Sequence, residues 1–137
     1  DFAINGLDNH QVLVVDDSAV NRKMMCRTLL SFVDSVTQAG NGAEALNLVK
    51  DSIQNRNPFD VIFMDVNMPV MDGVEATRLI RESGYKGYIA FVTGNAMPEE
   101  RRSFFAAGGD DVFIKPCTAA CLERALLAAH KIKTFGR

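Results

Sequence analysis

The chain has 137 residues, 47% of them apolar and 23% charged, proportions that exclude a disordered tail and fit one globular domain of ordinary size. Fifteen Lys and Arg against seventeen Asp and Glu leave a formal net charge of -2 and no basic stripe, so no nucleic-acid partner is expected. No apolar run approaches the ~18 residues of a membrane span, so no membrane contact is expected either.

Residues 1–10 (DFAINGLDNH) have no period and read as a tail or linker remnant, with a folded domain over 11–131 and a short tail over 132–137. From Gln11 onward, short apolar runs alternate with amphipathic stretches. The runs are Val12 to Val15, a weaker Ser35-Val36-Thr37, Val61 to Met64, Tyr88 to Val92, and Val112 to Ile114. Continuous runs of this length are what strands buried on both faces look like. Their spacing, roughly 20 to 25 residues or slightly more, leaves room for one helix and two loops each time.

Helix punctuation fills the gaps. Ser18 caps a helix whose apolar side is expected to use Val20, Met24, Met25, Leu29 and Phe32. Asn41 with Glu44, then Asp72 with Glu75, resemble capping boxes ahead of Ala45, Leu46 and Val49 and of Ala76, Leu79 and Ile80. Pro98 suits a first helical position, Gly108 a left-handed stop, and Thr118 opens a last helix bearing Cys121, Leu122, Ala125, Leu126 and Ala129. Five strands alternating with five helices predict a doubly wound α/β fold with a parallel sheet.

In such a sheet, ligands bind at the carboxyl ends of the strands. The residues that follow the apolar runs are Asp16-Asp17, Asp65, Thr93 and Lys115-Pro116. They are expected to converge on one edge. Three crowded carboxylates repel one another, by ~4 kcal/mol per pair at 4 Å with an effective dielectric near 20. The cluster therefore calls for protonation or a cation, and an all-oxygen donor set favours a hard divalent ion such as Mg²⁺. A carboxylate flanked by a metal, an ammonium and a hydroxyl is equipped to attack a phosphoryl group.

These residues resemble the receiver domain of two-component response regulators, over Val12 to about Leu127. The resemblance rests on Asp16-Asp17, on Phe63-Met64-Asp65-Val66-Asn67-Met68-Pro69-Val70-Met71-Asp72-Gly73, on Val92-Thr93-Gly94 and on Phe113-Ile114-Lys115-Pro116. Asp17-Ser18-Ala19-Val20-Asn21-Arg22 is most similar to receivers attached to hybrid sensor histidine kinases. The resemblance implies a flavodoxin-like five-stranded sheet of order 2-1-3-4-5, with Asp65 as phosphoacceptor from phosphohistidine. It also implies Mg²⁺, replaceable by Mn²⁺, held by the side chains of Asp17 and Asp65, the backbone carbonyl of Asn67, and Asp16 partly through water. Thr93 and Lys115 would contact the phosphoryl oxygens, the Lys115-Pro116 bond would be cis, and Asn67 and Asn95 would tune hydrolysis.

The implied partners are a histidine kinase or a histidine phosphotransfer protein, including a kinase domain of the same polypeptide. The domain would catalyse its own phosphorylation and dephosphorylation without turning over external substrates. It departs from the family at Val112, where receivers usually carry an aromatic residue. Adjacent Phe113 should face the opposite side of its strand, which puts the usual coupling of threonine to aromatic in question.

Two other readings share much of this pattern. An aspartate-nucleophile phosphatase also uses Asp, Thr, Lys and Mg²⁺, but usually needs a second acid where this chain has Asn67. A scaffold receiver that is never phosphorylated would not need Asp16, Asp17, Asp65, Thr93 and Lys115 together. A nucleotide-binding module of the same topology wants Gly or hydroxyl residues after the first strand, where Asp16-Asp17 stands.

Cys26, Cys117 and Cys121 form neither a disulfide framework nor a CxxC knuckle; they read as inert thiols in a reducing cytoplasm. His10 and His130 read as a tail residue and a helix-end residue. Of the adjacent Phe104 and Phe105, one should be core and the other partly exposed. The sequence begins without methionine or signal peptide and is expected to be part of a longer polypeptide.

Overall fold

The computed structural model describes residues 6–137. The chain runs β1 (Val12–Val15), α1 (Ala19–Leu29), β2 (Val36–Ala39), α2 (Gly42–Gln54), β3 (Val61–Asp65), α3 (Gly73–Glu82), β4 (Tyr88–Thr93), α4 (Pro98–Ala106), β5 (Asp111–Ile114) and α5 (Ala119–Phe135). All strand pairs are parallel and the sheet order is β2-β1-β3-β4-β5.

The period of two divides each strand between two cores. Val12, Val14, Phe63, Ala90, Val92 and Phe113 pack with Cys26 and Leu29 of α1 and with Leu122, Leu126 and Ala129 of α5. Leu13, Val15, Ile62, Met64, Ile89, Phe91 and Val112 pack on the other face, with Ala45 and Val49 of α2, Ala76 and Ile80 of α3, and Phe104 of α4. Strands β1, β3 and β4 are buried throughout, whereas β2 is exposed over Thr37 and Gln38, as its weaker apolar pattern implies for an edge.

Caps form where the polar residues stood. Ser18, Asn41, Asp72 and Thr118 accept from the backbone N–H groups of Asn21, Glu44, Glu75 and Cys121. Neither expected capping box closes. The Glu44 carboxylate accepts from Gly40 N–H at 2.6 Å, and Glu75 turns instead to Arg78 at 3.6 Å. The reciprocal bond occurs unannounced at α4, where Glu100 accepts from Met97 N–H at 2.9 Å.

Three expectations are corrected. Val20 and Met24 do not belong to the buried side of α1; they are 66% and 62% exposed, because Cys26 and Leu29 are the residues the sheet covers. The segment before Gln11 is not a loose tail over its described part, residues 6–10. Leu7 and His10 are buried, and His10 Nε2 lies 3.2 Å from Nδ1 of His130 on α5. Residues 1–5 of that expected tail lie outside the described residues. At the other end α5 continues past residue 131 to Phe135, and Arg137 then clasps Asp110 at 2.7 and 2.8 Å and donates to the carbonyls of Lys86 and Gly87. Both segments are held by charge and ring contacts across the sequence, which no local period displays.

Candidate functional site

The carboxyl ends of β1, β3, β4 and β5 lie side by side, and backbone pairing carries the ladder to the edge. Asp16 N–H donates to Ala39 O at 3.1 Å, Val66 N–H to Val92 O at 3.2 Å, and Lys115 N–H to Thr93 O at 2.8 Å. The acidic groups therefore gather. Asp16, Asp17 and Asp65 each present a carboxylate oxygen within 4.8 Å of the others. Asp16 and Asp65 are buried and Asp17 is exposed. Lys115 reaches across from the end of β5, with Nζ 3.1 Å from Asp65 Oδ1 and 3.4 Å from Asp16 Oδ2.

Local sequence explains each placement. Ser18 N–H donates to Asp16 Oδ1 at 2.8 Å, so the residue that caps α1 also fixes the first carboxylate. The start of α3 presses on β3 behind Asp65. A Cβ at Gly73 would collide with the Asp65 carbonyl oxygen, so only glycine lets the two elements meet this closely. Asn67 follows in the exposed β3–α3 loop, ahead of the buried Met68. The Lys115-Pro116 peptide is cis.

The electrostatics are those of an underneutralised pocket. Burial first, and the neighbouring Asp16 charge second, push the Asp65 carboxyl above the ordinary carboxylate value, although Lys115 pulls it back. Burial would lower Lys115, but its ion pairs with Asp65 and Asp16 outweigh this and hold the ammonium above its ordinary value. One ammonium faces three carboxylates, and the donors are all oxygen. This set fits a hard divalent cation such as Mg²⁺.

Thr93 is buried at the end of β4, and its hydroxyl donates to the Asn95 carbonyl at 2.8 Å. Val112 packs in the core that holds Phe91 and Phe104, whose rings stack at 4.9 Å. Phe113 points to the other face, beneath the Arg124 guanidinium at 5.3 Å, as strand alternation requires. Phe104 is buried and Phe105 is 48% exposed. All three cysteines are free thiols, and burial pushes Cys117 up to about 11.

Two features escaped the sequence reading. Arg22 of α1 donates from Nη1 to the Asp16 carbonyl at 2.6 Å and from Nε to Gln38 Oε1 at 3.1 Å. A groove of about 420 Å³ beside Lys115 is lined by Asn21, Met24, Met25, Pro116 and Cys117 among others. The adjacency of Asn21 and Arg22 to the acidic pair was the available signal, but it carried no geometry.

Comparison with known proteins agrees with this architecture. The family model of the response regulator receiver domain matches residues 12–127. Sensor histidine kinase RcsC of Escherichia coli (strain K12) is 34% identical over 97% of this chain. Two-component system protein A of Emericella nidulans is 40% identical over 84% of it. The chain spans only 14% and 17% of those two relatives. The crystal structure of the receiver domain of histidine kinase CKI1 from Arabidopsis thaliana, complexed with Mg²⁺ and BeF₃⁻, superposes with a TM-score of 0.83 at 35% identity, covering 94% of this chain and 95% of that one. With its 2-1-3-4-5 sheet and its acidic cluster at the strand ends, this chain belongs to the response regulator receiver domain family.

Proposed function

We propose that Asp65 is the phosphoacceptor of this receiver, loaded from a phosphohistidine in a two-component phosphorelay. The observation that carries this is the contact of Lys115 Nζ with Asp65 at 3.1 Å inside a cluster of three carboxylates. Asp17 and Asp65 would hold Mg²⁺ through their side chains, Asn67 through its backbone carbonyl and Asp16 through water, with Mn²⁺ an acceptable substitute. When bound, the divalent ion supplies charge neutralisation for the carboxylates and for the transferring oxygens.

This chain's own residues do the rest. An Asp65 carboxylate oxygen attacks phosphorus in line with the histidine nitrogen, so an O–P bond forms as the N–P bond breaks. The electron pair leaves on the imidazole of the donor, which takes up a proton. Lys115 follows one phosphoryl oxygen, and the Thr93 hydroxyl gives up its bond to Asn95 O to hold another. Asn67 and Asn95 flank the product and set how readily water reaches it. Val112 leaves no aromatic residue to follow Thr93 inward.

The donor is a histidine kinase or histidine phosphotransfer domain, in the same polypeptide or a separate one, seated over Asp65 against α1. Exposed Val20 and Met24 and the groove beside Lys115 give it an apolar footing. Among the described residues no helix is long and apolar enough to cross a membrane, and the free thiols fit a reducing cytoplasm.

Incubation with Mg²⁺ and phosphoramidate, followed by intact mass, should show one labile phosphate on the wild type and none on Asp65→Asn. An adduct that survives this substitution, or forms without divalent ion, would contradict the assignment. With a phosphorylated histidine phosphotransfer protein as donor, Met24→Ser should slow loading about tenfold while loading from phosphoramidate stays unchanged.

A further inference from the structure

We infer that Arg22 is a positioning residue for the acidic pair: by binding the Asp16 backbone carbonyl it sets the peptide that aims Asp16 and Asp17 at the cation. The inference rests on the function proposed above. Pairing of β1 with β2 ends at Val15 and Ala39, and Asp16 N–H makes the last inter-strand bond, to Ala39 O. Beyond this point β2 leaves the ladder. In this register the ladder donor for the Asp16 carbonyl would be Asn41 N–H, but Asn41 is the N-cap of α2 and makes no such bond, so no strand donor meets that carbonyl. Arg22 Nη1 supplies that donor at 2.6 Å.

A carbonyl beside a buried carboxylate is costly to leave without a partner, and a charged donor makes the stronger bond. The guanidinium is itself fixed by a second bond, Nε donating to Gln38 Oε1 at 3.1 Å on β2, while the residue's backbone is held in the first turn of α1 by Arg22 N–H donating to Ser18 O at 3.0 Å. Helix α1, edge strand β2 and the β1–α1 loop thus share one planar fork.

The Asp16 carbonyl lies in the peptide plane that joins Asp16 to Asp17. Rotation of this plane swings the direction in which Asp17 leaves the backbone. Asp16 is separately tethered through Oδ1 by Ser18 N–H at 2.8 Å, whereas the exposed Asp17 shows no side-chain tether among the described residues. Arg22 therefore acts mainly on Asp17, by fixing backbone rather than by touching its carboxylate. It influences how well a cation is held, not the attack of Asp65.

The test is the Mg²⁺ dependence of loading from phosphoramidate, read by intact mass, beside a melting curve for each variant. Arg22→Ala should raise the Mg²⁺ concentration for half-maximal rate about tenfold while leaving the rate at saturating Mg²⁺ within about twofold. Arg22→Lys, which reaches the carbonyl but cannot also hold Gln38, and Gln38→Ala, which frees the guanidinium, should fall in between.

A merely structural Arg22 would lower the melting temperature and leave half-saturation at the wild-type value, and that result would overturn the inference. If Arg22→Ala does not fold, the lysine variant and Gln38→Ala decide on the same criterion. Failure of the underlying site is distinct: the wild type itself would then take no phosphate, or would take it without Mg²⁺.

Discussion

At the scale of single residues, the site conflicts with the stability of the fold. Asp65 and Asp16 are buried beside each other with one ammonium between them, and burial raises the Asp65 carboxyl above its ordinary value. Such like-charge crowding is relieved when one member is made neutral. Asp65→Asn should therefore raise stability at pH 7 in metal-free buffer by roughly 1 kcal/mol, seen as a higher urea midpoint with unchanged slope. A variant less stable than the wild type would mean that the Lys115–Asp65 ion pair outweighs the repulsion. Lys115, Thr93 and Asp65 were legible in the sequence because each directly follows an apolar run. The reach of Arg22 back to Asp16 was not, since nothing in the spacing of residues 16 and 22 says which atom the guanidinium meets.

Among the elements, the long-range fastenings involve α3, β5, α5 and the segment before β1. Arg81 of α3 donates to the carbonyls of Gly108, Tyr85 and Gly87 and to Asp110 at 2.8 Å, tying α3 to the starts of β4 and β5. Its side chain is 19% exposed. Arg81→Ala orphans the carbonyls of Gly108 and Tyr85 and takes one of two guanidinium partners from Asp110, while Gly87 O keeps Arg137, so it should cost about 3 kcal/mol in chemical denaturation. A loss under ~1 kcal/mol would show that Arg137, also on Asp110, carries the joint.

The segment before β1 meets α5 through His10 and His130. Burial, opposed by Asp60 and Asp8 and reinforced by Lys133 and His130, holds His10 below its ordinary 6.5. The unfolded chain thus takes a proton that the folded His10 refuses. This contribution to stability is present above pH 6.5 and is lost as pH falls from there through the lower folded value. Wild-type melting temperature should fall between pH 7.5 and 5.5 more steeply than that of His10→Phe; parallel curves would refute the linkage. The α1 face was misread from sequence for a related reason. Period shows which residues share a side, not which side the sheet covers, and so Val20 and Met24 were placed inward.

For the whole molecule, the doubly wound topology turns residues a hundred positions apart into one pocket. A cation held there binds only the folded chain, so Mg²⁺ at 100 times its dissociation constant should add about 2.7 kcal/mol. That corresponds to a rise in melting temperature of roughly 10 °C for a domain of this size. Excess chelator should remove the gain, and Asp17→Asn should lose most of it. The sequence by itself determined the alternation of strands and helices, the two-sided burial of β1, β3 and β4, and the identity of the polar residues at the strand ends, because these depend on periods of two and 3.6 and on short-range caps. Only the tertiary structure decided that Glu44 caps Gly40 rather than closing a box, that residues 6–10 and the end of α5 are packed, and that Arg22 takes the Asp16 carbonyl just past β1. Those contacts join residues whose neighbourhood exists only after the sheet has formed, and no local pattern records them.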